Sequence, residues 1–279
     1  MGGKADTPID IVFVVPVRHH LSVANWHVVK QNLAETLRSI AGQTSDNWEC
    51  RVVANEGADL PSFPPRCSAR LVDLPLPSLP DKERNPEAFY DAVRRDKGLR
   101  VYEGMRDVDP MAYVMVVDFD DYVSRRVAAF AGQRANASGW FLGRGYVYGM
   151  SKHYFIRDRF NHLCGTSLIV RRDKLRGLET PTGKPDEEKV KRWLGSHRFI
   201  ADDLDAKGIP LQPLPFPGAI YRIANPQSTS GATTLFREMN PRWLLRKAPA
   251  EFLLNLLKYR RMNSAIAEEF SVVLPVGLS

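Results

Sequence analysis

A doubly wound α/β layer with a mostly parallel central sheet is the fold class that the sequence predicts. Two observations carry it. From Ile9 to Val117, β-rich apolar runs alternate with apolar residues at helical spacing, and the last of these runs ends in Asp118, Asp120 and Asp121. Strands covered on both faces read as nearly unbroken apolar runs, and their alternation with helices makes neighbouring strands parallel. Ligands of such layers bind beyond the carboxyl ends of the strands.

Ile9 to Val17 is the first strand, apolar at almost every position. Val28, Val29, Leu33, Leu37 and Ile40 then recur at helical spacing, with Gly42 placed to end the helix. Trp48 to Ala54 is a second strand, and Arg70 to Leu74 a short one after a proline-rich loop. Pro86 to about Met105 reads as helix and Met111 to Val117 as another buried strand. Trp140 to Tyr148 and Thr166 to Val170 follow as strands, and Lys189 to Ala206 as helix. Four prolines between Pro210 and Pro217 require extended chain, Ala219 to Ile223 reads as the last strand, and Asn225 to Gly231 as a polar loop.

Bulk properties bound the rest. With 279 residues, 44% hydrophobic, the chain can bury one large core. Cys50, Cys67 and Cys164 are odd in number and widely spaced, which fits neither a disulfide framework nor a zinc cluster. The residues after Met1 carry no signal-peptide stretch, and no apolar run is long enough to cross a bilayer. A cytoplasmic setting is expected, at most peripheral at the inner face of the membrane. The formal charge of +7 calls for an anionic partner. Much of it sits between Arg237 and Arg261, where seven basic residues face two acidic ones.

Residues two apart in an extended segment point the same way, so Asp118 and Asp120 can present two carboxylates to one ligand while Phe119 turns away. A magnesium or manganese ion held by one or two carboxylates, with phosphate oxygens at its other positions, suits such a pair. A solvated acidic turn is the plain alternative.

The order of segments resembles a family 2 glycosyltransferase. Val14-Val15-Pro16-Val17, Asn32 to Thr44 (NLAETLRSIAGQT), Trp48 to Gly57 (WECRVVANEG) and Lys97-Gly98-Leu99-Arg100 lead to Tyr113 to Asp121 (YVMVVDFDD), which is similar to the family's "flDaDD" signature. Cys164 to Arg172 is similar to its acceptor-side strand, and the resemblance spans roughly residues 9 to 225. It implies a GT-A fold: a catalytic domain over 1–235, with its donor half near 9–121 and its acceptor half near 122–235, then a basic amphipathic helical tail over 236–279. It also implies a nucleotide-sugar donor, a glycan or lipid-linked acceptor, Mn2+ or Mg2+, and inversion by a general base. The donor-binding residues implied are Pro16, Val17, Arg18, Glu56, Lys97, Arg100, Asp118, Phe119 and Arg222, with Asp118 and Asp120 at the metal. The family usually has an aspartate where Asn55 or Glu56 stands.

The family's base precedes a helix that ends at a glycine, and the comparable stretch here is Gly195 to Gly208. Ser196 and His197 stand where an acidic pair is expected. His197 is therefore the candidate for base or metal ligand, since a neutral imidazole can serve as either. Asp202 and Asp203 are the fallback bases, with exposed helix residues as the plain reading. Tyr221-Arg222 resembles the family's late "yR" segment, which can close over pyrophosphate together with Asn225, Ser228 and Ser230.

In the tail, Trp243, Leu244, Leu245, Phe252, Leu253, Leu256 and Leu257 form an apolar stripe among basic residues. It suits packing on the catalytic domain or contact with an anionic membrane. A dehydrogenase is disfavoured because no G-x-G-x-x-G follows the first strand. A nucleic-acid module is disfavoured because the basic residues interleave with leucines instead of stacking aromatics. A non-catalytic sugar-nucleotide-binding protein is the remaining alternative.

Overall fold

In a computed structural model of the chain, the described residues are 8–134, 136–149, 153–223 and 258–273. The first strands in chain order are β1 (Ile11–Pro16), β2 (Trp48–Asn55), β3 (Cys67–Val72), β4 (Tyr113–Val116), β5 (Tyr122–Val123) and β6 (Gly139–Phe141). β7 (Arg144–Tyr148), β8 (His153–Asp158), β9 (Leu168–Arg171), β10 (Gln212–Pro213), β11 (Ala219–Arg222) and β12 (Tyr259–Arg261) follow. The helices are α1 (Trp26–Ala41), α2 (Pro86–Met105), α3 (Val127–Gly132), α4 (Glu187–Trp193), α5 (Ile200–Asp205) and α6 (Ser264–Glu269).

The fold is α/β, with a mostly parallel central sheet in the order β10-β6-β9-β4-β1-β2-β3. β1 pairs in parallel with β2 and β4, β2 with β3, and β6 with β10, while β9 runs antiparallel between β4 and β6. A second, five-stranded sheet in the order β12-β8-β7-β11-β5 was not read from the sequence.

The period of two divides the central strands between two cores. Ile11, Phe13, Val15 and Val17 join Val29, Leu33, Leu37 and Ile40 of α1 on one side of the sheet. Val12 and Val14 join Val101, Tyr102 and Met105 of α2 on the other. Asn25 caps α1 and Asn85 caps α2, each accepting from an N–H in the first turn, with Pro86 at the start of α2.

Gly42 ends α1 at an ordinary φ of −75°. Close packing is what requires glycine there, because a Cβ would lie 2.5 Å from the Ser271 hydroxyl. Trp140–Tyr148 is two strands in different sheets, not one, and Lys189–Ala206 is two helices. Between α4 and α5, Gly195 abuts α2 so closely that a Cβ would stand 1.9 Å from the Arg94 carbonyl oxygen. The chain must turn there, and the turn carries His197.

β11 is followed by a further strand, β12, which pairs antiparallel with β8. Of the tail expected to be helical, the described residues hold a strand at Tyr259–Arg261 and a helix at Ser264–Glu269. α6 is bound to the body: Glu269 pairs with Arg126 and accepts from the Ser124 hydroxyl, and Phe270 is fully buried. The polar loop from Asn225 and the apolar stripe from Trp243 to Leu257 lie outside the described residues. Among those described, no helix is long and apolar enough to cross a membrane.

Candidate active site

The order β3-β2-β1-β4 means that the chain leaves β1 toward β2 on one side and returns to pair with it as β4 on the other. This is the switch point of a doubly wound sheet, where loops diverge and leave a crevice. A cavity of about 230 Å³ lies there. Pro16 and Arg18 border it from the end of β1, Asp96, Lys97 and Arg100 from α2, Asp118, Phe119 and Asp120 from the end of β4, and His197 from the turn after α4.

Phe119 is packed mainly in the core on the α1 side, and its carbonyl accepts a hydrogen bond from Thr36. The extended segment expected through Asp120 ends at Val116, and Asp118 to Asp121 form a turn closed by the Asp121 N–H on the Asp118 carbonyl at 3.0 Å, which leaves Asp118 and Asp120 bordering the cavity. Asp121 turns inward and is fully buried, accepting from the Thr166 hydroxyl at 2.6 Å and the Cys164 thiol at 3.2 Å. Burial first, then the charges of Asp120 and Asp118, push its carboxyl well above the usual range. Thr166 also accepts from the Asp118 backbone N–H at 2.9 Å, so one hydroxyl ties together both ends of the acidic turn.

Lys97 donates to Asp118 at 2.5 Å. Burial pulls the lysine pKa down, but the adjoining carboxylate outweighs it and the net shift is upward. Arg100 is only 1% exposed and is held by a two-pronged pair with Asp96 at 2.9 Å for both bonds. Its remaining nitrogen, Nη1, is buried and has no hydrogen-bond partner. A buried guanidinium donor without a partner costs free energy that a hydrogen bond to an anionic ligand would recover. Arg18 lies in the field of Asp120, Asp118 and Asp96, and burial lowers its pKa.

The His197 ring is hydrogen-bonded to the His162 backbone, and its Nε2 is buried with no partner. Burial, then the positive charge of Lys97, lowers its pKa to about 4. The imidazole is therefore neutral at physiological pH, with an acceptor nitrogen.

Other expected residues lie elsewhere. Val17 is fully buried in the core, where its N–H bonds to Val53, and does not border the cavity. Glu56 is exposed beyond the end of β2. Asp203 is taken up by Arg192 and the Trp193 indole, at 2.6 to 2.9 Å, and Asp202 is exposed on α5; neither reaches the cavity. Arg222 faces inward, donating to the Asp120 carbonyl, Glu35, Tyr122 and the Asn32 carbonyl. It braces the backbone of the acidic turn and is not free to grip pyrophosphate.

Among the described residues no group of three or more His, Cys, Asp or Glu side chains could hold a metal ion, so His197 does not complete a ligand set with Asp118 and Asp120. A divalent cation bound mainly through the ligand's own oxygens still fits. The cavity wall carries three basic side chains (Arg18, Lys97, Arg100) and three acidic ones (Asp96, Asp118, Asp120), so its charges balance and leave nothing over for a diphosphate. A cation arriving with the diphosphate, on Asp118 and Asp120, would restore neutrality.

Sequence reasoning missed Asp96, Thr166 and Glu35. Asp96 had a signal, since it lies four residues before Arg100, the spacing of a helical ion pair. Thr166 and Glu35 act through long-range contacts that no local pattern records.

No protein-family model matches the sequence, and no curated protein matches it. Solved structures similar to the chain include Staphylococcus aureus TarS, at 14% identity and a TM-score of 0.41, covering 96% of this chain and 46% of that one. The chain thus spans less than half of TarS. Mouse xyloside xylosyltransferase 1 is similar at 9% identity and a TM-score of 0.37, covering 96% of this chain and 100% of that one. A nucleotide-diphospho-sugar transferase described as putative, from Desulfovibrio desulfuricans G20, is similar at 11% identity and a TM-score of 0.33, covering 88% and 98%.

Proposed function

We propose that this chain is a glycosyltransferase of GT-A type that binds a nucleoside-diphosphate sugar in the switch-point cavity and transfers the sugar to a glycan or lipid-linked acceptor. One observation carries the reading: Asp118 and Asp120 border the same cavity as Arg18, Lys97 and Arg100, at the carboxyl ends of β1 and β4. Carboxylates for a cation beside donors for phosphate are what a diphosphate leaving group needs.

Asp118 and Asp120 would hold Mg2+ or Mn2+, which when bound withdraws charge from the diphosphate. The chain's own residues have the other tasks. Arg100, locked by Asp96, offers a preformed donor that needs no reordering when the ligand arrives. Pro16 and Phe119 give the cavity apolar wall, which keeps water from the anomeric carbon. His197 offers Nε2 to the acceptor hydroxyl as the general base. Its low pKa keeps it unprotonated, and the negative charge of a bound diphosphate would raise that pKa toward neutrality. Attack from the face opposite the leaving group inverts the anomeric centre.

In the same reading the basic, leucine-striped segment 237–257 rests on an anionic membrane surface and brings the chain to a lipid-linked acceptor. The proposal is tested by slow donor hydrolysis. Incubation with a panel of UDP-, GDP- and dTDP-sugars is expected to release one nucleoside diphosphate, and Asp120→Ala to lower the rate at least about 100-fold. Equal release by the variant would remove Asp120 from the site.

A further inference from the structure

Resting on the reading that the cavity takes a nucleoside diphosphate with a cation, we propose that Lys97 and the divalent cation are alternative partners of Asp118, so that Lys97 exchanges from the carboxylate to the phosphate as the cation binds. The carboxylate is 29% exposed but has a close neighbour at each oxygen. Lys97 Nζ stands 2.5 Å from Oδ1, and Gly165 packs against Oδ2 so tightly that a Cβ would come within 2.4 Å of it. The same Cβ would lie 2.8 Å from Lys97 Nζ, so the Gly165 backbone crosses close to both members of the pair.

A cation at coordination distance from Asp118 would share this confined space with an ammonium group, and the two positive charges repel. The lysine is the partner able to move. Its side chain is 22% exposed and its four-carbon stem swings about rotatable bonds, whereas Arg100 is fixed by Asp96. Lys97 borders both the main cavity and a smaller one beside His197, so space lies on either side of it. Released from Asp118, its ammonium would meet the diphosphate oxygens that the balanced cavity wall leaves uncompensated. Charge is conserved throughout: the carboxylate passes from ammonium to metal, and the ammonium from carboxylate to phosphate.

The signature is a pair of opposite effects from one substitution. Mn2+ alone is titrated into the full-length wild type and Lys97→Met, with free Mn2+ read by electron paramagnetic resonance, and UDP, GDP and dTDP are titrated calorimetrically at saturating Mn2+. Removing the competing charge is expected to tighten Mn2+ binding about 10-fold while weakening the nucleotide by about 10-fold. Lys97→Arg, which keeps the charge, is expected to retain weak Mn2+ binding, and thermal melts check that each variant is folded. Unchanged or weaker Mn2+ binding by Lys97→Met overturns the exchange. Failure of UDP, GDP and dTDP alike to bind either protein overturns the donor reading beneath it, and the Mn2+ titration decides the lysine's competition separately.

Discussion

Among single residues, the acidic turn owes its form to partners far away in sequence. The sequence pointed to Asp118 and Asp120 through their place after a buried strand, but they stand in a turn beyond its end and not at alternating strand positions. Place along the chain does not name the partners met there. Arg222 was expected at pyrophosphate, yet it pairs with Glu35, 187 residues earlier, and braces the Asp120 carbonyl. His197 could be singled out as the wrong residue type at an expected acidic position, but its neutral state comes from burial and Lys97. That state has a consequence for stability. The unfolded chain protonates His197 at its ordinary pKa near 6.5, while the folded protein resists until about pH 4. Between these values the unfolded state holds more protons, so the contribution is present above pH 6.5 and lost as pH falls toward 4. Urea denaturation from pH 7 to 4 is expected to cost wild type about 2–3 kcal/mol more than His197→Gln. Parallel curves would show that the ring is not protected from protonation.

Among elements, long periodic segments were legible and short ones were not. α2 runs from Pro86 to Met105, as read from the sequence, with Pro86 in its first turn and Asn85 as its cap. The strands of the second sheet have two to six residues, and their pairings are long-range, so no local signal sets them in one sheet. The break between α4 and α5 has its cause in another helix, the Arg94 carbonyl of α2 pressing on Gly195. Helix α2 positions five residues of the cavity wall, and its closeness to the sheet depends on Gly104, where a Cβ would lie 2.5 Å from Val14 and 2.8 Å from Val53. Gly104→Ala gains helix propensity but overpacks this contact, and is expected to destabilise the protein by about 1–3 kcal/mol net. A higher melting temperature in the variant would mean that α2 and the sheet have room to spare.

For the whole molecule, the α/β class with its parallel centre was legible because β1 and β4 are apolar on both faces. The antiparallel β9 was not, since a buried strand reads alike in either direction. The C-terminal segment joins the body through β12 and α6, so removing residues from 237 onward would strip β12 from the edge of β8 and take away Phe270, which packs on Tyr122 and Ile220. Charge reversal is the cleaner test of membrane contact. With Arg242, Arg246 and Lys247 all changed to Glu, flotation on liposomes containing anionic lipid is expected to be lost, while neutral liposomes leave both proteins behind. Equal flotation on anionic liposomes would locate the contact elsewhere.

The central claim is that the switch-point cavity binds a nucleoside diphosphate together with a divalent cation on Asp118 and Asp120. Isothermal titration calorimetry of UDP, GDP and dTDP, with Mn2+ and with EDTA, tests it most directly. One nucleotide is expected to bind at least about 10-fold tighter with Mn2+, a difference that Asp120→Ala removes. Binding that is indifferent both to Mn2+ and to Asp120→Ala, or no binding of any of the three, would contradict the account.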